Sequence, residues 1–144
     1  MPEAINQAAI FLPMLVVVAL TYVAALIMGV GRAGAIKGGM NVDFYKAYQD
    51  GQEPAAAAVK VRHYGNLMEL PTLFYAACLA AFALGGVGRW TLVFAWGYAA
   101  VRVVQSAVHL SYNSPAHRGI AFLLGVGFSL ALWVNVALSA FARL

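Results

Sequence analysis

Charge is absent from long stretches of this chain and crowded between them, and that spacing constrains the fold more than any other feature. Ala4–Gly31, Leu70–Gly88 and Gly119–Ala142 contain no Asp, Glu, Lys or Arg, and Trp90–His117 contains only Arg102. A helix needs roughly 20 apolar residues to cross roughly 30 Å of hydrocarbon. The pattern therefore predicts four spanning helices at about 8–31, 56–86, 90–113 and 118–141. Barrel strands are excluded because the runs show no period-two alternation. Composition agrees: 63% of the 144 residues are hydrophobic, 10% are charged, and the mean hydropathy is +0.80. A soluble domain carries about 25% charged residues, disorder requires low hydrophobicity, and the single Cys78 has no partner within the chain. The expected fold is an all-α membrane protein, one four-helix transmembrane domain over residues 1–144.

The first run lacks a positively charged leader, carries Glu3 instead, and is too long for a signal-peptide core. It reads as a retained helix. Arg32–Pro54 is a polar, Gly-rich connection, whereas the turns near Gly85–Arg89 and Asn113–Arg118 are short and make the last three helices antiparallel neighbours. Arg32, Lys37, Lys46, Lys60, Arg62 and Arg118 fall on one side, against Arg89 and Arg143 on the other. The positive-inside rule then places the first connection in the cytoplasm and both termini outside. The net charge of +4 is a topology signal, and no basic stripe points to nucleic acid.

Ionisable residues inside membrane helices are costly and are functional candidates by default. Arg62, Asn66 and Glu69 lie at i, i+4 and i+7 on the second helix, within about 60° of one another, and Pro71 follows them. On the third helix Arg102, Gln105, Ser106, His109 and Asn113 form one polar stripe. Depth brings the two sets together, because Leu70–Gly88 already spans about 28 Å and leaves Glu69 near the cytoplasmic boundary. Arg118 opens the fourth helix on the same side. Structural readings of the same residues stay open: an ion pair between Glu69 and Arg102, Asn66 as interhelical glue, and Lys60 and Arg62 reaching to headgroups. His63, His109 and His117 lack the spacing of metal ligands, and Ser106 with His109 lacks an acid to complete a triad. Tyr75, Trp90, Trp96 and Trp133 read as lipid or interfacial contacts. The pairs Ala76/Ala80, Ala77/Ala81 and Gly125/Ser129 permit close helix approach, and a site between copies of so small a bundle would be roomier than one within it.

Arg62-x-x-x-Asn66-x-x-Glu69-x-Pro71, within VRHYGNLMELPTLF at 61–74, and VRVVQSAVHLSYNSPAHRG at 101–119 resemble the MAPEG family, the membrane-associated proteins in eicosanoid and glutathione metabolism. Arg102 and Arg118, sixteen residues apart, match the arginine pair of its prostaglandin E synthase branch, and the short loops resemble bacterial members, implying a bacterial inner membrane. That branch has Arg where Gly65 stands, Tyr where His109 stands and Ser where Gly119 stands. The resemblance implies a homotrimer with glutathione between neighbouring subunits and a lipophilic small-molecule substrate, in a transferase or peroxidase reaction. It implies Arg62, Asn66, Glu69, Arg102 and His109 as glutathione-binding residues, with Arg102 and Arg118 catalytic. The alternative is a non-catalytic scaffold of the same fold that holds membrane lipid or serves a larger complex. A transporter reading finds no inverted repeat to support it.

Overall fold

Long apolar runs become long helices because nothing in them competes with the backbone ladder. The computed structural model of the chain describes residues 5–48 and 51–144. A short 3-10 helix, Gln7–Ile10, leads into α1 (Phe11–Lys37). A four-residue helix, α2 (Phe44–Ala47), sits in the first connection, followed by α3 (Ala55–Ala83), α4 (Arg89–Leu110) and α5 (Pro115–Phe141). Gln7–Lys37, α3, α4 and α5 are each long and apolar enough to cross a membrane. At 1.5 Å per residue, α4 covers about 33 Å and α3 about 43 Å, so α3 extends beyond the hydrocarbon.

Helix ends differ from the charge boundaries where local chemistry decides. α1 continues past Arg32 to Lys37, because a charge ends burial in lipid without ending a helix. The stop comes at Gly38 and Gly39, the latter at φ 94°, where glycine alone avoids steric cost. α5 begins at Pro115, whose missing N–H falls where an intrahelical bond would not form anyway. Pro13 lies in the first turn of α1 for the same reason, while Pro71 is buried inside α3.

α4 is the central helix: it packs extensively on α5 and also touches α1 and α3, while α1 lies along α3. The core joins Ile10, Val17, Phe74, Cys78, Tyr98 and Leu132, with the Phe74 and Tyr98 rings stacked at 4.3 Å. A Cβ at Gly97 would stand 2.5 Å from the Phe128 ring, so this glycine sets the α4–α5 approach. Large apolar side chains point outward, among them Leu15, Leu26 and Val30 on α1 and Leu123, Leu130 and Leu138 on α5. Such a surface suits lipid, which agrees with an integral membrane protein.

Polar contacts add ties between segments. The Gln7 side chain donates to the Val87 carbonyl at 3.1 Å and accepts from its N–H at 2.8 Å, clasping the N-terminal segment to the α3–α4 connection. The Trp133 indole donates to the Leu73 carbonyl at 3.2 Å. Trp133 is therefore half-buried between helices rather than a plain lipid contact, unlike the exposed Trp90 and Trp96; Tyr75 is likewise half-buried against the core. In the first connection Arg32 pairs with Glu53 at 3.3 Å, donates to the Tyr48 hydroxyl at 3.1 Å and lies over the Tyr45 ring.

Candidate functional site

The polar stripe of α4 faces into the bundle. Arg102, Gln105, Ser106 and His109 are all buried, Arg102 to 1% exposure. The Arg102 guanidinium donates from Nη1 to the Gln105 side-chain oxygen and from Nη2 to the backbone carbonyl of Asn66. Both acceptors are neutral. Among the described residues the ion pairs are Arg32–Glu53 and Lys46–Asp43, so Arg102 has no carboxylate within salt-bridge distance. The Glu69–Arg102 ion pair open from the sequence does not form: Glu69 lies on the exposed side of α3, while Arg102 is turned inward.

His63 and His109 meet across the α3–α4 contact with ring centroids 5.0 Å apart, edge to face. The turn between α4 and α5 brings in Arg118. Asn113 takes a left-handed conformation at φ 51°, a conformation its short polar side chain tolerates, and its Oδ1 accepts from Arg118 Nη1 at 2.9 Å. Arg118 then lines a cavity of about 280 Å³ with Asn66, Gln105, Pro115, Gly119 and Phe122.

This end of the bundle is under-satisfied. His63 Nε2, Arg102 Nε, Ser106 Oγ, His109 Nδ1 and Arg118 Nε are buried with no hydrogen-bond partner. Native proteins leave few such atoms unpaired, and each is costly. A buried cation held only by neutral groups carries a further cost that an anion would relieve. Open space adjoins the cluster, since a Cβ built at Gly119, which lines this cavity, would meet nothing within 4 Å. The arrangement suits an anionic ligand with several polar groups.

Of the residues singled out from the sequence, Asn66, Arg102, His109 and Arg118 are brought to one end of the bundle; Arg62 and Glu69 belong to the same stretch of α3 but have exposed side chains. His63 was not singled out as a site residue. Its signal is its register, because it shares the buried stripe of α3 with Leu67, Phe74, Cys78 and Ala81, where an imidazole stands out among apolar neighbours. Among the described residues no group of three or more His, Cys, Asp or Glu could hold a metal ion.

The family model described as MAPEG family matches residues 10–138, a span that contains α1, α3 and α4, all but the last turn of α5, and every residue of the cluster. The chain belongs to the MAPEG family. No curated protein and no solved structure matches it significantly. As a MAPEG protein it is an integral membrane four-helix bundle, and the family is one generally tied to glutathione.

Proposed function

We propose that this chain is the subunit of a glutathione-dependent transferase or peroxidase that acts on lipophilic substrates, with each site shared between copies in a homotrimer. The observation that supports this most is the buried Arg102, fixed by neutral acceptors and lacking an anionic partner among the described residues. Glutathione has the matching chemistry: two carboxylates, an amine and a thiol. In this reading Arg62, Asn66 and Arg102 hold its carboxylates and backbone, Glu69 takes the amine, and His109 offers its unpaired ring nitrogen. The first connection faces the cytoplasm and both termini lie outside.

The thiol supplies the nucleophile, as a thiolate, for conjugation or peroxide reduction. The protein's part is electrostatic. A free thiol has a pKa near 8.5, and each unit of lowering corresponds to about 1.36 kcal/mol of thiolate stabilisation. A guanidinium within about 4–6 Å lowers an acid's pKa by about 1–3 units. Arg118, held by Asn113 beside the open space at Gly119, is the group assigned that task.

Purified protein in detergent or nanodiscs should gain thermal stability with millimolar glutathione and show thiolate absorbance in the ultraviolet. Arg118→Ala should retain the stabilisation and lose most of the absorbance, because the residue acts on the thiol rather than on the carboxylates. Absence of any glutathione effect on the wild-type protein would overturn the reading.

A further inference from the structure

At the opposite end of the bundle lies a second feature with its own chemistry. A groove of about 580 Å³ runs between α4 and α5, lined by Trp90, Phe94, Gly127, Val134, Asn135 and Leu138 among others. Its walls are apolar except for Asn135. The Asn135 Oδ1 accepts from the Thr91 hydroxyl at 2.7 Å, its Nδ2 makes no hydrogen bond among the described residues, and Asn135 is one of the residues that line the groove. An amide donor facing hydrocarbon without an acceptor is costly.

Three dimensions of the groove identify what would fit. From Gly127 to Leu138 it follows α5 for about 16 Å, close to the roughly 15 Å of hydrocarbon in one leaflet. Asn135 lies about one helical turn deeper than Ser139, which touches Gly86 of the α3–α4 connection. The amide therefore lies about one turn inside that end of the bundle, the depth that suits the ester carbonyls of a diacyl lipid. Above it are Arg89 and Arg143, both exposed and neither in an ion pair among the described residues. Trp90 stands at the same mouth with its ring stacked on Phe94 at 6.0 Å, in the position of an interfacial aromatic.

We propose that this groove is a binding site for one ester-linked phospholipid per chain. An acyl chain lies along the α4–α5 groove, the Asn135 amide donates to an ester carbonyl, and Arg89 and Arg143 receive the phosphate. The site is separate from the polar end and stands independently of the glutathione reading.

Native mass spectrometry of protein exchanged into micelles doped with diester phosphatidylglycerol, or with its diether analogue, tests the assignment. The wild-type chain should retain one diester lipid, and the diether analogue should be retained about fivefold less, the effect of one net hydrogen bond. Asn135→Leu should erase the difference between the two lipids. Gly127→Leu fills the deep end of the groove from a position where a Cβ meets nothing within 4 Å. It should lower retention of both lipids while preserving the fold and any response to glutathione. Equal retention of diester and diether lipid by the wild type would overturn the carbonyl assignment. Undiminished retention in Gly127→Leu would overturn the site, as would a groove covered by a second copy of the chain with no lipid retained.

Discussion

On α4, Arg102, Gln105, Ser106 and His109 share one face and that face is buried; on α3, Arg62 and Glu69 share a face equally well and remain exposed. The difference comes from what else each helix carries. α3 has a rival stripe, His63–Leu67–Phe74–Cys78–Ala81, about 130° round from the Arg62–Glu69 face, and this stripe takes the interior. α4 has no such rival on its other side, where Val103, Val104 and Trp96 face outward as lipid-compatible residues. Helical spacing specifies which residues share a face. Competition among faces decides where that face points.

The comparison yields graded tests. The largest effect should come from removing the buried cation together with its neutral partner. Arg102→Met with Gln105→Leu should abolish glutathione-induced stabilisation yet leave the ligand-free protein at least as stable as wild type in a thermal melt, because replacing buried charge by apolar volume is often neutral or favourable. A ligand-free loss of about 3 kcal/mol or more would instead mark Arg102 as structural glue. Next, Arg118→Ala should move the midpoint of the pH–rate profile upward by about 1–2 units. The sign follows from the thiolate: losing a nearby cation raises the thiol pKa, so activity at neutral pH falls roughly tenfold per unit, and alkaline pH restores it.

The exposed face of α3 should respond differently. Ala76 lies on it, in helical register with Arg62 and Glu69 and itself exposed. Cys78 is buried, so Ala76→Cys should supply the oxidisable thiol and give copy-to-copy disulfides in membranes. A wholly monomeric product would break the expectation that a neighbouring copy covers this face. The smallest effect is expected in the first connection. Glu53→Gln, which weakens the part-exposed pair with Arg32, should cost less than about 1 kcal/mol in thermal stability and leave any glutathione response intact.

The long elements were legible because membrane helices declare themselves by uncharged length, and the α4 stripe because polar residues in such a helix have few places to go. The inward turn of His63 was less legible, since its neighbour Arg62 dominates the local signal. Neither the clasp between Gln7 and Val87 nor the close approach of Gly97 to Phe128 leaves a pattern in one chain. Each depends on two segments distant in sequence meeting at one depth. The Asn113 support for Arg118 was half visible: Asn113 ended the polar stripe, but its left-handed turn is a property of the fold.

The clasp at Gln7 has a mechanical consequence. Its two hydrogen bonds tie the start of α1 to the α3–α4 connection, at the end remote from His63 and His109. A guest that parted the helices at the polar end, where the unpaired atoms lie, would leave this pivot in place.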